Sequence, residues 1–63
     1  MLKPEYYVNI KGEDEIRITE DDYISLKEIL LNPPIPEYFE LKEKVYKTKN
    51  IEAVKKINVN YAE

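Results

Sequence analysis

Sixty-three residues with no His, Cys or Trp, a single Ser and a single Gly lack most side chains on which nucleophilic, acid–base and transition-metal chemistry rests. With 43 % hydrophobic and 37 % charged residues the chain has the composition of a folded domain, and its net charge of -3 is opposite in sign to that of a typical phosphate binder. The longest apolar run, Ile29-Leu30-Leu31, is too short to span a membrane, and Met1-Leu2-Lys3-Pro4-Glu5 lacks the apolar core of a signal peptide, so a cytoplasmic protein is expected.

A chain of this length forms one domain, residues 1–63. Its core is small, and neither a disulfide nor a His/Cys metal site is there to support it, which leaves self-association or a larger partner as the natural aid. The charge is also uneven. Met1–Leu31 holds eight acids against four bases, whereas Asn32–Glu63 holds six lysines against five glutamates. An acidic first half of this kind steers basic partners or pairs head to tail with a second copy.

In chain order, Tyr6-Tyr7-Val8-Asn9-Ile10-Lys11 alternates with period two, with Tyr6, Val8 and Ile10 on one face. Gly12-Glu13-Asp14 reads as a three-residue hairpin loop leading into Glu15-Ile16-Arg17-Ile18. That register sets Lys11 opposite Glu15, Ile10 opposite Ile16, Asn9 opposite Arg17 and Val8 opposite Ile18. Thr19-Glu20-Asp21-Asp22 then starts a helix: Thr19 caps the Asp22 amide, and three carboxylates sit at the positive helix end. The helix runs from about Glu20 to Leu31. Tyr23, Leu26 and Leu30 form its apolar stripe, flanked by Ile29 on one side and by Ile24 and Leu31 on the other. That arc is wider than one sheet face needs, which marks Ile24 and Leu31 as residues for contact with another chain.

Asn32-Pro33-Pro34-Ile35-Pro36 stops the helix as a stiff connector. A second hairpin is expected from Glu37-Tyr38-Phe39-Glu40-Leu41 and Lys44-Val45-Tyr46-Lys47-Thr48. A two-residue turn at Lys42-Glu43 pairs Phe39 with Tyr46 and Leu41 with Lys44, and a three-residue loop pairs Leu41 with Val45. Thr48-Lys49-Asn50 is a cap or turn before a short helical turn at Ile51-Glu52-Ala53-Val54. Ile57-Asn58-Val59-Asn60-Tyr61 closes the chain as a strand with Ile57, Val59 and Tyr61 inward. The class is α+β: a small, mostly antiparallel β-β-α-β-β sheet, with a fifth strand where the closing segment joins it, and one amphipathic helix across it.

The tyrosine-bearing first strand, Gly12-Glu13-Asp14, Ile16-Arg17-Ile18-Thr19-Glu20, Tyr38-Phe39-Glu40-Leu41 and Val45-Tyr46-Lys47-Thr48-Lys49-Asn50-Ile51 resemble small uncharacterised β-β-α-β-β proteins of phages and mobile elements of AT-rich bacteria. A lysine-dominated, Ile-, Tyr- and Asn-rich composition fits the same coding bias. The resemblance implies accessory or host-directed binding without catalysis, and it carries over no functional residue.

Six acids fall within the ten positions Glu13–Asp22, in a turn and a first helical turn where water solvates them. Capping and solubility account for most of them, and a contact with a basic partner is the functional reading. No calcium-loop spacing, phosphate loop, nucleophile elbow or zinc motif is present. Ser25 has no His to activate it. No catalytic residue, metal ligand or cofactor is therefore assigned, and a non-enzyme is expected.

Six tyrosines in so short a chain carry more weight, because Tyr combines large area with low side-chain entropy. Tyr6, Tyr23 and Tyr61 fall on predicted core faces; Tyr7 and Tyr38 point outward. The leading expectation is a homo-oligomeric binding protein that engages or inhibits a larger protein through Tyr7, Glu13, Asp14, Glu15, Asp21 and Tyr38. The rival reading is a nucleic-acid or nucleotide binder that uses Lys44, Tyr46, Lys47 and Lys49 of the second hairpin.

Overall fold

The computed structural model describes residues 1–61. Its elements are β1 (Leu2–Ile10), β2 (Ile16–Ile18), α1 (Glu20–Leu31), β3 (Tyr38–Leu41), β4 (Lys44–Lys47), a single 3₁₀ turn (Thr48–Asn50) and β5 (Ile51–Asn60). The α+β class and the β-β-α-β-β order with a fifth strand are those the sequence predicts. The strands divide into two antiparallel groups, a three-stranded sheet in the order β2-β1-β5 and a separate β3-β4 hairpin.

The core forms on one face of β1, where Tyr6, Val8 and Ile10 are buried together with Ile18, Leu26, Phe39 and Leu41. The first hairpin is displaced by two residues from the expected register: Val8 pairs with Ile16, Tyr7 with Arg17 and Tyr6 with Ile18. An even shift returns each side chain to the same face, so Ile16 and Ile18 still meet the core. The expected Ile10–Ile16 and Lys11–Glu15 pairs do not form because the chain already turns at Ile10, whose carbonyl accepts from the Glu13 amide at 2.9 Å. β5 lies along the other edge of β1. Ile10 pairs with Ile51, and the Lys11 amide donates to the Asn50 carbonyl at 2.8 Å.

Helix α1 has the predicted bounds, and its start is capped as expected, with the Thr19 hydroxyl accepting from the Asp22 amide at 3.1 Å. Two contacts fix that end to the sheet. The Tyr6 hydroxyl donates to Glu20 Oε2 at 2.9 Å, and the Tyr6 and Tyr23 rings lie 4.8 Å apart at 44°. At the other end the Asn32 backbone and side-chain N–H groups both donate to the Glu28 carbonyl, each at 3.0 Å, before the prolines begin. Leu26 is the buried residue of the stripe; Tyr23, Ile29 and Leu30 are half-buried, and Ile24 and Leu31 are exposed.

The second hairpin adopts the two-residue turn. Lys42 and Glu43 take φ of 50° and 67°, the signature of a type I′ turn, and Phe39 pairs with Tyr46 and Leu41 with Lys44. Phe39 and Leu41 point into the core, and the Phe39 and Tyr46 rings stack at 5.6 Å.

Two expectations for the last segment are corrected. The helical turn lies at Thr48–Asn50, and Ile51–Val54, expected as helix, is strand paired with β1. Ile57, Val59 and Tyr61 do not face the core either. Pairing passes from Asn9–Ala53 to Ile10–Ile51, which leaves Glu52 as an extra residue in β5. This bulge lets Ile51 and Val54 both pack on the core, while the register puts Ile57 opposite Glu5 and Val59 opposite Lys3, on the face turned away from α1.

Candidate binding surface

The face of the three-stranded sheet opposite the core carries Lys3, Glu5, Tyr7 and Asn9 from β1, because alternate residues of a strand share a face. Arg17 joins from β2, and Lys55, Ile57 and Val59 join from β5. None of the apolar core lies here, yet Glu5 is only 9 % exposed. Its carboxylate is wrapped by its neighbours. The Tyr7 hydroxyl donates to Oε1 at 2.6 Å, the Tyr61 hydroxyl donates to Oε2, and Arg17 Nη2 lies 3.4 Å from Oε2. Lys3 Nζ sits 5.7 Å from the centre of the Tyr61 ring, within cation–π range.

The hydrogen bond to Glu5, aided by burial, pushes the Tyr7 phenol above its ordinary pKa. The Tyr7 and Tyr61 hydroxyls donate to this common acceptor. What the cluster presents outward is ring and guanidinium surface with restricted rotamers, which is the chemistry of recognition.

The other residues singled out from the sequence are distributed differently from the two surfaces first drawn. Glu13, Asp14 and Glu15 lie exposed in the β1–β2 loop and share a shallow cleft of about 360 Å³ with Lys42, Lys44 and Tyr46. Acids and lysines assigned to rival surfaces thus face each other. Glu15 also meets Lys55 Nζ at 3.2 Å. Lys47 and Lys49 border a different hollow, of about 440 Å³, walled by Leu30, Ile35 and Ile51. Next to it the Thr48 hydroxyl is buried without a hydrogen-bond partner among the described residues.

Asp21 is exposed on the first turn of α1, and Tyr38 is half-exposed at the start of β3, in a different strand group from Tyr7. Ile24 and Leu31 stand seven residues apart, two helical turns, and so share one exposed side of α1. Glu5, Arg17 and Tyr61 were absent from the sequence-derived surface. The signal for Glu5 was its two-residue step from Tyr7 on one strand; that for Tyr61 was hidden by the bulge at Glu52.

Among the described residues no three acidic side chains gather as a metal-holding group, and no helix is long and apolar enough to cross a membrane. Comparison with models of protein families, with curated proteins and with solved structures found no match to this chain.

Proposed function

We propose that this chain is a small non-enzymatic binding protein of the cytoplasm, of the mobile-element kind it resembles, that engages or inhibits a larger protein through the open face of its three-stranded sheet. The observation that supports this reading is the fixed cluster of Tyr7, Tyr61 and Arg17 around Glu5 on a face that carries none of the core. Tyrosine and arginine are the residues that most often anchor protein interfaces, and anchors held in one rotamer lose little entropy on binding. The acidic loop Glu13–Glu15 borders this face through the Glu15–Lys55 pair and adds steering toward a basic partner.

Affinity capture from cells of the source organism tests the reading. A protein retained by the parent chain and lost with Tyr7→Ala or Arg17→Ala supports it. Retention through both changes, with loss when Lys44, Lys47 and Lys49 are replaced and with steep weakening in salt, transfers the function to the lysine-bearing hairpin and to nucleic acid.

A further inference from the structure

β5 is an edge strand ten residues long, and no strand pairs with its outer side among the described residues. Which of its backbone groups face outward follows from the pairing with β1. Met1 and Tyr61 exchange hydrogen bonds in both directions, the Tyr61 amide donating to the Met1 carbonyl at 2.9 Å and the Met1 ammonium donating to the Tyr61 carbonyl at 3.4 Å. Antiparallel ladders alternate between bonded and non-bonded pairs, so Val59, Ile57, Lys55 and Ala53 direct their N–H and C=O groups toward β1 as well. Pro4 agrees with this: it lies opposite Asn58, at a non-bonded position where its missing N–H costs β5 nothing. Val54, Lys56, Asn58 and Asn60 therefore point theirs away from β1, to the open edge.

We propose that this edge pairs antiparallel with β5 of a second copy of the chain, with Ile57 on the two-fold axis, which joins two three-stranded sheets into one of six strands. The inference is independent of the binding face proposed above. A two-fold axis at Ile57 sets Val54 opposite Asn60 of the second copy and Lys56 opposite its Asn58. Every outward-pointing backbone group between Val54 and Asn60 then meets an outward-pointing group.

Charge selects this register over its neighbours. Sliding two residues one way places Lys56 against Lys56, and two more place Lys55 against Lys55; like charges directly opposite are destabilising. Sliding the other way sets Val54 opposite position 62, outside the described residues, and leaves three bonded pairs between Val54 and Asn60 in place of four. In the favoured register Lys55, already drawn toward β2 by Glu15, faces Val59 of the second copy, and Lys56 faces an asparagine. The bulge at Glu52 ends the ladder at one side, as bulges do at sheet edges. Ile57, 44 % exposed in the single chain, becomes half of a non-bonded pair, the geometry in which opposed side chains approach closest.

The experiment uses sedimentation of the parent chain, Ile57→Lys and Ile24→Lys, with Ile57→Cys and Ile24→Cys as a second measurement in a chain that has no cysteine of its own. A dimer is expected for the parent and for Ile24→Lys, and a monomer for Ile57→Lys. Ile57→Cys should oxidise to a disulfide-linked dimer within the time that Ile24→Cys stays reduced, because Cα atoms of a non-bonded pair are about 4.5 Å apart, inside the disulfide range. A parent chain that remains monomeric at millimolar concentration overturns the proposal. So does a dimer that persists in Ile57→Lys, or one that Ile24→Cys captures and Ile57→Cys does not.

Discussion

Tyr7 hydrogen-bonds Glu5 at 2.6 Å across a two-residue step of a single strand, on the face of the sheet that no core residue occupies. A carboxylate in that position would ordinarily be solvated. Here two phenols and a guanidinium replace its water, which makes Glu5 the element that holds this face in one conformation. Glu5→Ala removes the shared acceptor and should lower stability by about 2 kcal/mol, the scale of hydrogen bonds to a charged group. The urea midpoint at constant slope measures it. A midpoint equal to that of the parent would mean that the cluster adds nothing beyond its solvated state.

Tyr6 and Tyr7 should ionise above the ordinary phenol value. Burial, then the hydrogen bond to Glu20, raises Tyr6; the hydrogen bond to Glu5, then burial, raises Tyr7. A phenol whose folded pKa lies above its unfolded value near 10 contributes stability that is intact below that pH. It is lost as pH rises through the folded value, because only the unfolded chain releases the proton early. Melting temperature should therefore hold from neutral pH to about 10 and then fall. Tyr7→Phe should flatten part of that fall. Absorbance titration at 295 nm in which Tyr7→Phe removes a step no higher than that of a free phenol would contradict this account.

The cap at Thr19 gives a local prediction. Its hydroxyl accepts from the Asp22 amide at 3.1 Å in an exposed setting, so Thr19→Ala should cost about 1 kcal/mol, and Thr19→Asp should restore most of it. Thermal melts of the three chains at one concentration decide it.

The turn at Lys42-Glu43 is the fold's clearest mismatch between residue type and backbone. Both residues hold positive φ, a region that penalises a Cβ by roughly 1–2 kcal/mol and that Asn-Gly occupies with little strain. Glu43→Gly should raise stability by about 1 kcal/mol net of the added freedom of the unfolded chain. A lower melting temperature for Glu43→Gly would show that the turn is not strained.

That mismatch also explains what the sequence could and could not convey. Thr19 and the prolines after Asn32 are strong local signals, and the helix lies between them as predicted. Lys42-Glu43 names no turn type, and Phe39 and Leu41 share a face in either register, so the pairing is legible only in the positive φ of the two turn residues. The first hairpin lies two residues from the register expected of a loop at Gly12-Glu13-Asp14 because the chain already turns at Ile10, whose carbonyl accepts from the Glu13 amide. β5, from forty residues away, pairs along the other edge of β1. The same long-range pairing, with its bulge at Glu52, turned Ile57, Val59 and Tyr61 to the open face. Periodicity shows that alternate residues share a face; it does not say which face another layer will cover. The Glu5 cluster depended on that missing fact, since Tyr61 reaches Glu5 only from the outward side.

The binding face can be separated from the acidic loop by kinetics. Glu13, Asp14 and Glu15 are exposed in a loop, so reversing them to lysine should preserve the fold and slow association with a basic partner about tenfold at low salt, a loss that high salt removes. Tyr7→Ala should act on the other rate, speeding dissociation by about tenfold or more, because an aromatic anchor contributes after encounter and not before it. Tyr38→Ala is the internal comparison: Tyr38 lies in the other strand group, 51 % exposed, and belongs to the contact only if the partner spans both groups. Surface plasmon resonance against the captured partner reads both rates. An unchanged dissociation rate in Tyr7→Ala, beside a changed one in Tyr38→Ala, would move the contact from the open sheet face to the second hairpin.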